Sequence, residues 1–227
     1  IWSRLVGSEM CIRDRRWSKF INKDDQKLIV KSDDYGYFSL EVKTNWKFAI
    51  ENYCESYHLP TIHPELNKIS NINDHYHIQG LPNRFAGQGS KKYDQIVKGN
   101  KIFDTFPNWE KTMLKNSEYI ALFPNAMIGL HVDHFYVFWL EPLAMNKTKE
   151  HMQMYYVGEE SANGEQLKEM RKQNLKFWKD VMFEDINAVE GMQEGRNSPV
   201  YNGGNFSPIM DQPTHQFHKW VAQNLIG

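Results

Sequence analysis

A helix-forming run that opens at Asn45 is cut by Pro60, and His58 and His63 stand on either side of that proline. On an unbroken helix, residues five apart point about 140° away from each other, so these two rings would not meet. Proline disfavours helical geometry in the residue before it, here Leu59, so the helix expected over Asn45 to Tyr57 stops and the chain turns. His63 then comes back beside His58, and two neutral imidazoles can hold two positions on a divalent metal. Upstream, Glu51, Glu55 and His58 follow i, i+4, i+7 spacing, one face of that helix. This is a metal-site layout.

Composition sets compatible bounds. A chain of 227 residues, 41% hydrophobic and 14% aromatic, can bury one good core, and we read one domain over residues 16–227. Basic and acidic residues balance at 27 and 28 with no block of like charge, which argues against a surface that tracks nucleic-acid phosphates. No apolar run approaches the roughly 20 residues needed to span a bilayer, and the start lacks the order of a signal peptide, so a cytoplasmic protein without membrane contact is expected. Residues 1–15 include Leu5-Val6-Gly7-Ser8-Glu9-Met10-Cys11-Ile12-Arg13-Asp14-Arg15, which resembles translated sequencing-adapter sequence. They are read as a non-native leader and set aside.

The pattern along the chain is that of an α+β domain. Lys27 to Lys31 and Tyr37 to Lys43 read as strands around an Asp33-Asp34-Tyr35-Gly36 turn. Asp74 to Ser90 alternates apolar and polar residues, and Glu118 to Phe123, Ala126 to His131, Phe135 to Leu140 and Glu150 to Val157 come after it as consecutive antiparallel candidates. Gly158 to Gly164 breaks the pattern. Glu165 to about Glu194 then reads as one long helix, and Thr214 to Asn224 as a last one.

The segment Asn45-Trp46-Lys47, then Glu51-Asn52, then Glu55, His58 and His63, resembles the iron-ligand motif of the Rieske non-heme iron ring-hydroxylating oxygenase α subunits. Downstream, Phe183-Glu184-Asp185-Ile186-Asn187-Ala188-Val189-Glu190-Gly191-Met192-Gln193-Glu194-Gly195 is similar to the region that supplies the third ligand. The resemblance implies a helix-grip fold, START- or Bet v 1-like, with an antiparallel sheet wrapped around a long C-terminal helix. It also implies a mononuclear Fe(II) held by His58, His63 and Asp185, a facial triad that leaves positions open for dioxygen. Glu184 is the competing choice for the third ligand. Glu55 takes the place of the acid that relays electrons to the iron from the Rieske cluster of a neighbouring subunit, and Asn52 a place near iron-bound oxygen or water.

Only Cys11 and Cys54 occur, so the sequence cannot supply the two Cys and two His of a [2Fe–2S] Rieske cluster, which is expected in a separate N-terminal domain. The implied partners are an NAD(P)H-dependent reductase, with or without a ferredoxin, dioxygen, a small organic substrate, and two further copies in a homotrimer. The Glu-Asn-Tyr-Cys-Glu-Ser-Tyr-His form resembles the branch containing choline, carnitine and glycine-betaine monooxygenases. An aromatic ring and a quaternary amine both stay open as substrates.

Other residues compete for these roles. His75 and His77 are expected on opposite faces of a strand, unable to chelate one metal together; His131 and His134 flank a strand turn, where one can line the pocket. Phe123, Asn125, Met127, Leu130, His131, Phe135 and Phe138 are the strand candidates for the pocket wall, of which about half must point away. Two readings from other classes remain: a zinc-dependent hydrolase using His58, His63 and an acid, against which the lack of an H-E-x-x-H helix counts, and a helix-grip ligand-binding module without catalysis.

Overall fold

The structure, a computed structural model, describes residues 17, 18, 20–78 and 84–226, the side chain of Ile226 excepted. The expected leader, with Cys11, lies outside the described residues. Strands β1 (Ile29–Lys31), β2 (Tyr37–Val42), β3 (His75–Ile78), β4 (Phe85–Ser90), β7 (Ser117–Leu122), β8 (Ala126–Leu130), β9 (His134–Ala144) and β10 (Lys147–Val157) make one eight-stranded antiparallel sheet. Its order is β1-β10-β9-β8-β7-β4-β3, with β2 also on the free edge of β10. A small hairpin, β5 (Val97–Lys98) and β6 (Lys101–Ile102), stands apart.

Seven helices are found among the described residues: α1 (Trp46–Cys54), α2 (Leu59–Ile62), α3 (Pro64–Ile69), α4 (Gly158–Asn163), α5 (Lys168–Glu184), α6 (Ile186–Asn197) and α7 (Gln212–Ile226). Sheet register assigns the faces, because residues paired across strands share one. Gln88, Tyr119, Gly129, Tyr136 and Met154 form one row, and Ala86, Ala121, Met127, Phe138, Met152 and Phe38 the next. Ile50 and Cys54 of α1, Trp178, Val181 and Met182 of α5, and Phe217 of α7 pack onto these rows as the main core. The opposite face carries Leu130, Phe135 and Tyr155, covered by Phe20, Phe106 and Trp109.

Two elements differ from the sequence reading. The long C-terminal helix is a short 3₁₀ turn (Glu165–Leu167) followed by α5 and α6, which meet at Asp185. Its apolar rhythm runs unbroken through Val181, Met182, Ile186 and Val189, and Asp185 keeps right-handed helical dihedrals, so the pattern carries no mark of the joint. Strands β9 and β10 extend past Leu140 and ahead of Glu150 into an exposed hairpin end, where the alternation that marks them fades.

Gly129 shows how closely the helix-side face is packed. A Cβ there would lie 2.1 Å from Cζ of Tyr136, the residue opposite it in register. Tyr136 is fully buried, so it cannot swing into solvent to make room. Gly129→Ala should therefore destabilise the fold by about 1–3 kcal/mol. Gly191, inside α6, has nothing within 4 Å of where a Cβ would stand, so its alanine variant should be neutral or stabilising, by up to about 1 kcal/mol. Urea denaturation of the two variants beside the parent checks both signs.

Candidate metal centre

Helix α1 starts at a capping asparagine, whose side chain accepts from Lys47 N–H, and ends at Cys54, earlier than expected. Its last carbonyls are met from the sheet: Gln88 Nε2 donates to Glu55 O at 2.6 Å and to Tyr53 O at 3.4 Å. Pro60 then opens a helix instead of closing one. It lies in the first turn of α2, where an N–H has no intrahelical partner and its loss costs nothing. The single turn is closed by Ile62 N–H to His58 O and His63 N–H to Leu59 O, at 2.8 and 2.9 Å. His58 thus precedes the turn and His63 comes after it, with ring centroids 5.0 Å apart and planes at 73°.

Asp185, at the joint of α5 and α6, reaches the same space. Its Oδ1 lies 2.9 Å from His63 Nε2 and 3.7 Å from His58 Nε2. One ligand atom from each of the three residues falls within 4.8 Å of the others, and no other such group is found among the described residues. Each imidazole is held on its far side by a carboxylate: His58 Nδ1 contacts Glu55 Oε1, and His63 Nδ1 lies 2.7 Å from Glu184 Oε2. With Nδ1–H donated to a carboxylate, Nε2 keeps its lone pair and points it inward. Glu184, the competing third ligand, is engaged on the outer side of His63, leaving Asp185 to face the centre.

The fit of this donor set to a metal turns on one atom. Asp185 Oδ1 is buried and accepts no well-directed hydrogen bond despite its closeness to His63. A buried carboxylate oxygen without a partner is costly, and a cation between the three groups removes the cost. Burial works against a charge on His63, but the Asp185 and Glu184 carboxylates beside it outweigh that and hold the ring above its ordinary value. The three residues fit a divalent ion that takes two neutral imidazoles and one carboxylate.

Beside the centre is a cavity of about 50 Å³. Asn52, Tyr53, Tyr119, Tyr136 and Trp178 are among its walls, and the Asn52 amide has no hydrogen-bond partner among the described residues. The strand residues named from sequence fare differently. Met127 and Phe138 face the helices and line a second, smaller cavity, whereas Leu130 and Phe135 belong to the opposite face and Phe123 packs on Phe217 and Trp220 of α7. Tyr119, Tyr136 and Trp178 do not stand out in the sequence, because nothing in a strand pattern tells which of two alternating sets faces the helix.

His75 and His77 also correct an expectation. Residues two apart on a strand share a face, and the pairs His75–Ser90 and His77–Gln88 put both on the helix side. His75 reaches the cavity wall, but Gln88 Oε1 at 2.8 Å and Ser70 Oγ at 3.1 Å occupy its two nitrogens. Through Gln88 it braces the backbone of Glu55 instead of binding metal.

A mixed sheet-and-helix domain with a two-histidine, one-carboxylate centre is the class that these features define. Residues 31–227 match the family model of the ring hydroxylating alpha subunit (catalytic domain), and the chain belongs to that family. Among its relatives are a putrescine 2-hydroxylase of Bordetella bronchiseptica, 26% identical over 79% of this chain and 43% of the relative, and the chloroplastic choline monooxygenase of Spinacia oleracea, 24% identical over 81% and 38%. The oxygenase subunit of a carnitine monooxygenase from Escherichia coli is 23% identical over 82% and 48%. The chain spans less than half the length of each. In fold it is similar to a quaternary ammonium Rieske monooxygenase solved with L-carnitine, at TM-score 0.67 and 21% identity over 92% of this chain and 52% of that one. A naphthalene 1,2-dioxygenase solved with indole gives TM-score 0.64 and 14% identity over 98% and 61%.

Behind the cavity wall lies a deeply buried polar cluster. Asp133 Oδ1 accepts from Tyr93 and pairs with His134 Nδ1, both at 2.8 Å, and His134 Nε2 accepts from the Trp178 indole at 3.1 Å. His131 stacks on His134 with centroids 4.4 Å apart, its Nδ1 without a partner, and neither ring is a metal ligand here. Burial, then the charge of His134, push His131 well below its ordinary value. An unfolded chain therefore takes up a proton at this residue, near pH 6.5, before the folded one does, and stability falls as pH drops below about 6.5. His131→Phe should make that slope shallower by up to about 1.4 kcal/mol per pH unit, read from chemical denaturation between pH 7 and 5.

Proposed function

We propose that this chain is the oxygen-activating part of a Rieske-type oxygenase, with Fe(II) held by His58, His63 and Asp185. The observation that carries the reading is the convergence of two Nε2 atoms and one partnerless Asp185 oxygen, each imidazole backed by a carboxylate. When bound, Fe(II) supplies the activation of dioxygen for insertion into a substrate carbon. The remaining work falls to the protein. Glu184 and Glu55 fix the tautomer and tilt of the two rings. Asn52 presents a free amide to the cavity, suited to orienting a small polar ligand beside the metal. Tyr53, Tyr119, Tyr136 and Trp178 exclude water and shape the space for the substrate.

Glu55 has a second role in this reading, that of passing electrons to His58 from a histidine ligand of a [2Fe–2S] Rieske centre in a neighbouring subunit of a homotrimer, which an NAD(P)H-dependent reductase serves, with or without a ferredoxin. The substrate is a small amine. Relatives named for putrescine, choline and carnitine support that choice, and so do the four aromatic rings of the cavity, whose faces attract a cation. A zinc-dependent hydrolase is the weaker reading, since residues 31–227 match a family of ring-hydroxylating subunits.

The test is anaerobic Fe(II) titration of the purified chain. His58→Ala, His63→Ala and Asp185→Asn should each abolish tight binding of one equivalent, whereas His151→Ala, on the opposite sheet face, should leave it unchanged. Glu184→Gln should weaken affinity by about 10- to 100-fold without removing the site, as loss of an orienting partner does. Full iron in Asp185→Asn together with none in Glu184→Gln would reverse the assignment of the third ligand.

A further inference from the structure

Glu150, on β10, is the buried acid that the metal centre does not use. It is 7% exposed, sits opposite Leu140 and Leu40 in register, and its carboxyl has no hydrogen-bond partner among the described residues. It lines the second cavity, about 20 Å³, with Val42, Ala49, Met127 and Val189 around it. Asn52, Tyr53, Met182 and Asp185 line both cavities, so the two are neighbours beside the metal centre. An unpartnered carboxyl in apolar surroundings destabilises a fold unless something binds it.

We propose that Glu150 seats the primary ammonium group of an amine substrate in this second cavity, beside the metal centre. The inference rests on the oxygenase reading above and narrows its substrate class. Size leans towards a primary amine, since this space, near 20 Å³, is less than half of the first cavity's and suits the smaller headgroup. Hydrogen bonding argues the same way, since a primary ammonium brings N–H donors. The acceptors waiting for them are the Glu150 carboxylate and the free carbonyl oxygen of Asn52. A quaternary ammonium has no N–H to give, and this wall is mainly aliphatic, with only Tyr53 and Phe138 as rings. Burial, reinforced by the charge of Asp185, pushes the Glu150 carboxyl up to about 8, a sign that the site is short of a positive charge.

The experiment is calorimetric titration of the purified chain, with and without Fe(II), using 1,4-diaminobutane, choline and the neutral 1,4-butanediol. The parent should bind the diamine more tightly than choline and should not bind the diol. Glu150→Gln should weaken diamine binding at least tenfold while one equivalent of Fe(II) still binds. Glu150→Met, of similar size and apolar, should lose the diamine equally and melt at the same or a higher temperature, which separates ligand recognition from folding. Diamine affinity unchanged in Glu150→Gln and Glu150→Met, no diamine binding by the parent, or choline bound as tightly as the diamine would each overturn the proposal. Failure of the oxygenase reading shows separately, as Fe(II) binding that survives loss of His58, His63 or Asp185.

Discussion

A helix holds its direction only if the chain that leads into it is held, and in this protein the residues that lead into α1 are tied to the far end of the sequence. Gln193 Oε1 accepts from Asn45 N–H at 3.0 Å, Glu190 Oε1 from Lys43 N–H at 2.8 Å, and the Thr44 hydroxyl donates to Val189 O at 2.9 Å. One turn further along, Arg196 pairs with Glu51 and lies over the Phe48 ring. This strap locks α6 in register with α1. Asp185 is the residue before α6 and the histidines come after α1, so the strap sets where the carboxylate stands relative to the rings. Gln193 therefore matters to Asp185 for a mechanical reason, at a distance from the two rings.

The centre itself is organised from outside in. Cavity walls and carboxylates hold each group before any ion arrives: Glu55 and Glu184 on the rings, Gln88 on the backbone of Glu55, and His75 on Gln88. Each link in that chain comes from a different element, so the sheet edge at β3 and β4 braces a residue in the loop after α1. The same plan recurs at the cavity's other wall, where Asp133 fixes His134 and His134 fixes the Trp178 indole. Polar groups buried this deeply are stabilising only when their partners are complete, and here the partners specify side-chain positions around the cavity.

Much of this is legible in the sequence, and the departures have physical causes. The histidine pair and the succession of strands carry local signatures in spacing and alternation, whereas Asp185 is picked out through the resemblance of residues 183–195 to the family's third-ligand region. Pro60 reads as a terminator, yet the first turn of a helix accepts proline as readily as the residues after its end. The break at Asp185 leaves no trace because the apolar rhythm continues across it. Glu184 and Asp185 are neighbours, and only the direction of each side chain from the helix joint separates an orienting acid from an inward-facing one. Tyr119, Tyr136, Trp178 and Glu150 depend on which face of the sheet meets α5, a tertiary fact that alternation alone leaves two-fold ambiguous.

The one-turn helix between the histidines has a consequence for how the chain can vary in length. Each residue added to a helix rotates the downstream residues by about 100°, so a single insertion between His58 and His63 would swing one imidazole off the shared axis. Between His63 and Glu184 the separation is 121 residues, and six of the sheet's eight strands lie there, yet a loop such as the β5–β6 hairpin can lengthen without moving either end. Insertions and deletions should thus be excluded from the shortest spacing and accumulate in the longest. The rigid word in this sequence is the short run from one histidine to the next, and the domain around it is free to be rewritten in length.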